Sequence, residues 1–230
     1  MRVFVTGATG FIGFAIVKQL IGAGHQVTGL ARSDAAGKKP AAAGAQVQLG
    51  TVEDLDCLRR GASAADGAIH TAFYHKIAHI SLGKRLQVMF GGAPSGAVQR
   101  FLQAAVTTDR RAIEAIAQSL SGADRLLVAT FGTLGMTAGR LAIEDDAYNP
   151  TFVGVERART EDTLKALATV GIRTSAMRRR RSCMDQATTA LHRCWSRRRG
   201  RRRSPAMSEM VRTVGLPFIV TTRPGRFGWR

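Results

Sequence analysis

Cysteine, tyrosine, tryptophan and proline are scarce in this chain of 230 residues, which has three, two, two and six of them. The three cysteines, Cys57, Cys183 and Cys194, are an odd number without paired spacing, which argues against a disulfide framework and predicts a reducing compartment. No residue spacing typical of a metal site is present, so no metal is expected. The short apolar stretch at the start breaks into glycines, unlike a signal peptide or a membrane span. These absences predict a cytoplasmic protein without membrane contact.

Negative charge is scarce in one part of the chain only. The 34 Lys and Arg against 16 Asp and Glu give a net charge of +18, which by itself suggests a polyanion partner such as nucleic acid. Residues 1–173 hold 19 basic and 14 acidic side chains, whereas residues 174–230 hold 15 and 2. The basic residues of that tail are all arginines, and every lysine lies before it. The chain therefore consists of two compositions joined near residue 175.

The first part alternates short β-branched runs with helical patterns. Strands are predicted at residues 3–6, 26–31, 45–49, 68–73, 125–130 and 172–176. Helices are predicted at residues 109–120 and 157–170. Alternation of this kind favours a parallel sheet with helices on both faces. The expected fold class is α/β, a Rossmann-like doubly wound parallel sheet.

Three glycines, Gly7, Gly10 and Gly13, lie between the first strand and an apolar helical pattern. The first can adopt the backbone angles of a sharp turn, the second lets the backbone approach a pyrophosphate, and the third lets the helix pack close to the strand. The free N–H groups at the start of that helix would bind phosphates. This pattern predicts a dinucleotide-binding loop, and the alternative is a glycine-rich turn without a ligand.

The residues after the second strand bear on the choice of cofactor. An acidic residue there would hold the ribose hydroxyls of NAD, but the sequence has Arg32 and Ser33, a cation and a hydroxyl that suit a 2′-phosphate. The alternative is a solvated arginine that Asp34 neutralises. We expect NADP as the cofactor, with NAD as the alternative.

Five segments resemble the extended or atypical short-chain dehydrogenase/reductase family, the NAD-dependent epimerase/dehydratase group. They are VTGATGFIG at residues 5–13, GLARSD at 29–34, IHTAF at 69–73, DRRAIEAI at 109–116 and EDD at 144–146. The likeness covers about residues 1–177. It implies a Rossmann domain, a dinucleotide cofactor, and hydride transfer at a carbonyl or hydroxyl carbon of a small-molecule substrate.

The resemblance also assigns cofactor-binding residues. It implies that the three glycines form the pyrophosphate loop and that the backbone of Phe11 and Ile12 meets the phosphates. Thr71 and Ala72 would line the cofactor after the fourth strand. The oligomeric state is not implied.

The catalytic positions depart from the family pattern, in which a lysine lowers the pKa of a tyrosine four residues before it. The family has a glutamate four residues past the lysine, and Glu161 aligns with it. This alignment puts Arg157 in the place of the lysine and Val153 in the place of the tyrosine. The family also has a Ser or Thr past the fifth strand. Thr130 and Thr133 are the hydroxyl side chains near that position, and they are the catalytic candidates. The chain is therefore either an NAD(P)-dependent oxidoreductase or epimerase/dehydratase of doubtful competence, or a dinucleotide-binding module without chemistry.

Three histidines support structural interpretations rather than catalytic ones. His70 is expected to be a hydrogen-bonded core residue at a strand end. His75 and His79 are four apart, which would place them on one helical face, but no third metal ligand lies nearby. Residues 76–105 are either a flap over the substrate or, as is commoner, a packed helical segment.

The arginine-rich tail, residues 178–230, is expected to be disordered or irregular and separate from an NAD(P)-binding domain at residues 1–177. One alternative function is an arm that contacts nucleic-acid phosphates, although a nucleic-acid partner is not the favoured interpretation. A shifted reading frame permits HGPGDHG across residues 183–190 and GDGANRWPAVHRDDAAR across residues 208–225, and both strings resemble the same family. We therefore hypothesise a one-nucleotide shift near residues 176–178, which sequencing the gene would test.

Overall fold

The protein folds around one seven-stranded sheet. The structure is a computed structural model and describes residues 1–121, 125–132, 155–169, 172–179 and 220–222. The strands are β1 Arg2–Thr6, β2 Gln26–Ala31, β3 Gln46–Leu49, β4 Gly67–His70, β5 Leu126–Gly132, β6 Arg173–Arg179 and β7 Val220–Thr222. Their order in the sheet is β3-β2-β1-β4-β5-β6-β7. Strands β1 to β6 run parallel, which confirms the predicted doubly wound α/β class.

Six α-helices lie among the described residues and connect the strands. They are α1 Phe11–Gly22, α2 Asp34–Ala42, α3 Leu55–Ser63, α4 Leu82–Phe90, α5 Ala97–Leu120 and α6 Val155–Thr169. Short 3₁₀ turns at Ile77–His79 and Pro94–Gly96 precede α4 and α5. Within the described part of the chain, no helix combines the length and the apolar character that crossing a membrane would need.

Two apolar cores flank the sheet because the central strands are buried on both faces. Along β1, Phe4 packs into one core, while its neighbours Val3 and Val5 pack into the other. Side chains alternate between the faces of a strand, so an uninterrupted apolar run such as β1 requires helices on both sides. All four residues of β4 are likewise buried. This two-sided burial explains why β1 and β4 lack the apolar and polar alternation of a strand with one solvated face.

The insertion after β4 is helical, and α4 buries one of its residues, Val88. It contains α4 and the first half of α5, which begins twelve residues before the predicted residue 109. The first turn of α5 exposes Val98, whereas its later turns bury Ala112, Ile113 and Ile116. The helix was therefore predicted only over the part that packs on the core, where the apolar periodicity is clear.

The end of the sheet beyond β5 differs from the prediction at two points. Strand β6 continues to Arg179, three residues past its predicted end. Strand β7 lies in the tail that was expected to be irregular, and pairs antiparallel to β6 with Val220 opposite Ala176. The edge of β6 offers unpaired backbone groups, and three tail residues satisfy some of them. Residues 180–219 and 223–230, on which the remaining predictions for the tail depend, lie outside the described residues.

The strand order creates a topological switch point between β1 and β4. From β1, the chain builds outward to β2 and β3 on one side, and from β4 to β5 and β6 on the other. Thr6 and His70, the last residues of β1 and β4, lie opposite each other in the register. Open α/β sheets bind ligands at the carboxyl ends of the strands at such a point. The candidate site is therefore the carboxyl edge of the sheet between β1 and β4.

Candidate functional site

The glycine loop follows β1 and closes tightly on the segment after β4. Gly7 has a φ of +71°, and a Cβ atom there would lie 2.5 Å from Thr71 Oγ1 and 2.9 Å from the backbone nitrogen of Ala72. A Cβ on Gly13 would overlap the carbonyl oxygen of Gly7. The turn is closed by a hydrogen bond from Gly10 N–H to Gly7 C=O of 2.9 Å. Larger residues at Gly7 or Gly13 would force the loop apart, so the structure accounts for both glycines.

Helix α1 begins at the carboxyl edge of the sheet with an open N-terminus. Its N-cap is Gly10, which offers no side-chain oxygen, and its first turn holds no acidic residue. The backbone N–H groups of a first helical turn lack intrahelical acceptors, and the helix dipole adds partial positive charge. Phe11 is exposed there, while Ile12 packs against the core. The arrangement suits an anion such as a pyrophosphate, as the sequence predicts.

Thr71 ties the segment after β4 to the end of β1. Its hydroxyl donates a 2.8 Å hydrogen bond to the carbonyl of Thr6, and its backbone N–H donates to the same oxygen at 3.3 Å. Strand β4 ends at His70, three residues before its predicted end, because the chain turns here toward the glycine loop. The structure thereby brings Thr71 and Ala72 against Gly7. Their contact with a cofactor stays a prediction.

Arg32 and Ser33 directly follow β2, and both are exposed. Ser33 is the N-cap of α2, where its Oγ accepts a 3.3 Å hydrogen bond from Ala36 N–H. A hydroxyl that accepts in this way keeps its own hydrogen for donation. Strand β2 is parallel to β1 and next to it in the sheet, so Arg32 and Ser33 follow the strand adjacent to the one that leads into the glycine loop.

Thr130, the catalytic candidate that the structure describes, is engaged within the end of the sheet. Its side chain is buried, and its hydroxyl donates to the carbonyl of His70 at 3.3 Å. Its own carbonyl accepts a 2.9 Å hydrogen bond from Arg157 Nη2. These contacts give Thr130 a role in joining β4, β5 and α6. Thr133 and Val153, the other catalytic positions, lie outside the described residues.

A buried polar network underlies the switch point. His70 is 1% exposed, with Nδ1 lying 2.8 Å from Thr6 Oγ1 and Nε2 lying 3.1 Å from Asp109 Oδ1. The geometry agrees with the expectation of a hydrogen-bonded core histidine. Asp109 received no role in the sequence analysis, although a carboxylate on the apolar stripe of α5 was the available signal. Its Oδ2 atom is buried without a hydrogen-bond partner among the described residues.

Arg157 of α6 completes this network at the ends of β4 and β5. Its Cζ atom lies 3.5 Å from the ring centroid of Phe73 and 5.8 Å from that of Phe131, and its Nη2 lies 3.8 Å from Asp109 Oδ1. Burial lowers the pKa of the Arg157 guanidinium, and the charge of Asp109 opposes that effect. Arginine nevertheless stays protonated in proteins. Arg157 is therefore a fixed cation and does not transfer protons as a lysine can.

His75 and His79 do not share a helical face. His79 ends a 3₁₀ turn that begins at Ile77, whereas His75 precedes the turn and packs edge-on against Phe73. Their spacing left a shared helical face possible, but this segment forms one short 3₁₀ turn and not an α-helix. Within the described residues, no group of three or more His, Cys, Asp or Glu side chains could hold a metal ion.

Residues 3–88 match the family model described as the NAD dependent epimerase/dehydratase family. The chain is 38% identical over 180 residues to an uncharacterized protein of Schizosaccharomyces pombe, covering 77% of this chain and 52% of that protein. It is 40% identical over 72 residues to a Stigmatella aurantiaca protein named 4-hydroxy-2-methyl-3-oxo-4-farnesyl-3,4-dihydroquinoline-1-oxide ketoreductase, covering 31% of this chain and 22% of that protein. The chain thus spans about half the length, or less, of the curated relatives that it matches.

Solved structures show the same fold at low sequence identity. A short-chain dehydrogenase/reductase superfamily protein from Agrobacterium tumefaciens with bound NAD is 20% identical, with 77% of this chain and 48% of that chain covered and a TM-score of 0.55. UDP-glucose 4-epimerase from Thermotoga maritima, solved with UDP-glucose, is 18% identical, with 77% and 55% covered and a TM-score of 0.56.

The parallel sheet, the glycine loop and the open helix N-terminus at the switch point define a Rossmann-like fold. The match of residues 3–88 to the NAD dependent epimerase/dehydratase family model agrees with the resemblance found in the sequence.

Proposed function

We propose that this protein is an NAD(P)-dependent oxidoreductase or epimerase/dehydratase of the short-chain dehydrogenase/reductase type. It would act on a small substrate at a carbonyl or hydroxyl carbon. The observation that carries the proposal is the meeting of the glycine loop, the uncapped start of α1 and Thr71 at one switch point. The name of the Stigmatella aurantiaca relative, a ketoreductase, supports the carbonyl chemistry.

The residues at the carboxyl edge fit a dinucleotide. The pyrophosphate would lie on the N–H groups of Phe11 and Ile12 at the uncapped start of α1. The absence of side chains at Gly7 and Gly13 lets the loop close against Thr71 and keeps this helix start next to the end of β1. Thr71 and Ala72 would line the cofactor between β1 and β4. When bound, such a cofactor supplies the hydride that is exchanged with the substrate carbon.

We further propose that the cofactor is NADP(H) rather than NAD(H). Arg32 and Ser33 occupy the position after β2 that meets the adenosine ribose in this fold. The guanidinium would pair with the 2′-phosphate, and the Ser33 hydroxyl would donate to it while still capping α2. A neutral ribose hydroxyl would draw no comparable attraction from Arg32.

A dinucleotide-binding module without catalysis is the second candidate, and the replacement of the family's tyrosine favours it. In the family pattern a lysine at the position of Arg157 lowers the pKa of a tyrosine, and Val153 stands in the place of that tyrosine. Arg157 holds Thr130 and lies beside Asp109, so it still supplies a positive charge, but a valine has no proton to transfer. Binding can therefore persist in this chain where proton transfer does not.

Two measurements separate these candidates. Titration with NADPH and NADH, followed by nicotinamide fluorescence, should show saturable binding; the absence of binding by either cofactor would refute both candidates. NADPH oxidation should then be followed against a panel of small aldehydes and ketones. Turnover above that of a Gly13→Val variant supports the enzyme, whereas tight binding with no turnover across the panel supports the module.

A further inference from the structure

The segment between β4 and α4, residues 71–81, crosses the carboxyl edge of the sheet. At its start, Thr71 is bonded to Thr6 at the end of β1. At its end, Ser81 N–H donates a 3.2 Å hydrogen bond to Glu53, which follows β3. Strand β2 lies between β1 and β3 in the sheet. This crossing segment therefore passes the carboxyl end of β2, where Arg32 is located.

Two buried side chains anchor the crossing segment. Tyr74 and Ile80 are 6% and 1% exposed, and both belong to the core that contains Leu30 of β2 and Val52 after β3. Between these anchors, Lys76 is exposed and His79 is partly exposed. Tyr74 is also hydrogen-bonded through its side chain to Glu53, so both ends of this stretch are tied to the residue that follows β3. The two basic residues between the anchors therefore lie on the same side of the edge as Glu53.

The carboxylate nearest this segment is already engaged. Glu53 accepts from Ser81 and lies 3.6 Å from Lys84 Nζ. Burial acts to raise the pKa of Glu53, but the hydrogen bonds from Ser81 and the charge of Lys84 outweigh it and hold the pKa below its usual value. Glu53 is thus ionised and paired with groups of its own.

The cations around His79 act on one another. Burial lowers the pKa of His79, and the charges of Arg32, Lys76 and His75 lower it further. Arg32 likewise acts on Tyr74, whose pKa is raised mainly by burial and by Glu53. Arg32 and Lys76 therefore each lie within electrostatic reach of His79, and their positive charges disfavour its protonation. These basic side chains favour an anion that would relieve the repulsion.

We propose that Lys76 and His79, together with Arg32 and Ser33, bind the 2′-phosphate of NADP(H), and that binding is accompanied by proton uptake at His79. This inference rests on the dinucleotide-binding function proposed above. It adds the crossing segment as a second wall of the phosphate site, opposite the β2 end.

The sign of the pH dependence follows from the charges. In the free protein the lowered pKa keeps His79 largely neutral at neutral pH. A phosphate dianion beside it would raise that pKa, so NADPH should bind more tightly as the pH falls and His79 becomes protonated. The 2′-phosphate itself also takes up a proton near pH 6, which works in the opposite direction. A variant that lacks the histidine separates the two contributions, and NADH has no phosphate at this position.

The test compares the Kd values of NADPH and NADH for the full chain and for Lys76→Met, His79→Gln and the control Lys18→Met. Lys18 is an exposed lysine of α1, beyond its first turn. Lys76→Met should weaken NADPH binding about tenfold, the size expected for one charged hydrogen bond, with NADH binding unchanged. The Kd of NADPH for His79→Gln should equal that for the wild type at pH 8 and exceed it by about threefold or more at pH 6. The Kd of NADH should be the same for both proteins at each pH.

Three outcomes would overturn the inference. One is a Kd of NADPH for Lys76→Met and for His79→Gln that equals the Kd for Lys18→Met at each pH. The second is an equal loss of NADPH and NADH affinity, which would indicate a general disturbance of the edge. The third is a His79→Gln variant with the pH profile of the wild type, which would remove the proton uptake. A wild-type chain that binds neither cofactor would instead refute the proposed function, and the inference with it.

Discussion

The guanidinium of Arg157 lies on the ring of Phe73, with Cζ 3.5 Å from the ring centroid. The two residues are far apart in the chain, one on α6 and the other just after β4. Their contact, together with the hydrogen bond to Thr130, holds one positive charge at the ends of β4 and β5. That position adjoins the switch point, where the reacting end of a cofactor and its substrate would meet.

Replacing Arg157 should destabilise the protein in a graded way. Arg157→Lys keeps the charge but loses the stacking of the planar guanidinium and its several N–H donors. We expect its free energy of unfolding to fall by about 1–2 kcal/mol. Arg157→Met also leaves the buried Asp109 without its nearby cation, so its loss should be larger, about 3 kcal/mol. Urea unfolding measures both. The control is Lys165→Met on the same helix, where the lysine is exposed, and equal stability of all three variants would contradict the prediction.

Gly7→Ala should abolish dinucleotide binding and destabilise the fold by about 2 kcal/mol or more. The new Cβ would combine a positive φ with contacts on Thr71 and Ala72 that are too short. Gly22→Ala is the matched control, because nothing lies within 4 Å of a Cβ at the end of α1. That variant should be neutral or more stable by up to about 1 kcal/mol. Thermal unfolding and NADPH titration of the two variants test the contrast.

Glu53→Gln should reduce stability at neutral pH but not in acid. The folded-state pKa of Glu53 lies below the usual value of 4.5, so its stabilising effect is complete above pH 4.5 and is lost as the pH falls through the folded-state pKa. We expect the variant to be less stable by about 1 kcal/mol near pH 7, with the difference vanishing at lower pH. Unfolding curves at several pH values measure it. If the difference in unfolding free energy between wild type and variant grew toward low pH, the pKa of Glu53 would not be lowered in the folded state, which contradicts the prediction.

Arg32→Ala should shift cofactor preference. Loss of the guanidinium should weaken NADPH binding by about tenfold or more and leave NADH binding nearly unchanged. Arg59→Ala is the control, because Arg59 pairs with Asp56 on the exposed face of α3. Fluorescence titration with both cofactors gives the ratio. If Arg32→Ala and Arg59→Ala show the same ratio, Arg32 has no role in selecting NADP(H).

Much of the fold follows from local patterns. Strand β2 has the bounds that its β-branched run predicts, and the glycine loop lies between β1 and α1 as its spacing requires. These features depend on backbone geometry over a few residues, namely side-chain alternation in strands and the freedom of glycine in a tight turn. For that reason the α/β class and the pyrophosphate loop could be predicted without the structure.

The contacts that shape the site were decided by tertiary structure. Asp109 meets His70 across 39 positions of sequence, and Arg157 reaches both Asp109 and Phe73 only because α5, α6 and β4 converge at one edge. In the crossing segment, the spacing of His75 and His79 does not indicate that Tyr74 and Ile80 are buried anchors. Local periodicity determined the elements and the glycine loop of this protein. Strand order decided which distant side chains share an edge, because packing selects among arrangements that are equally compatible with the same local patterns.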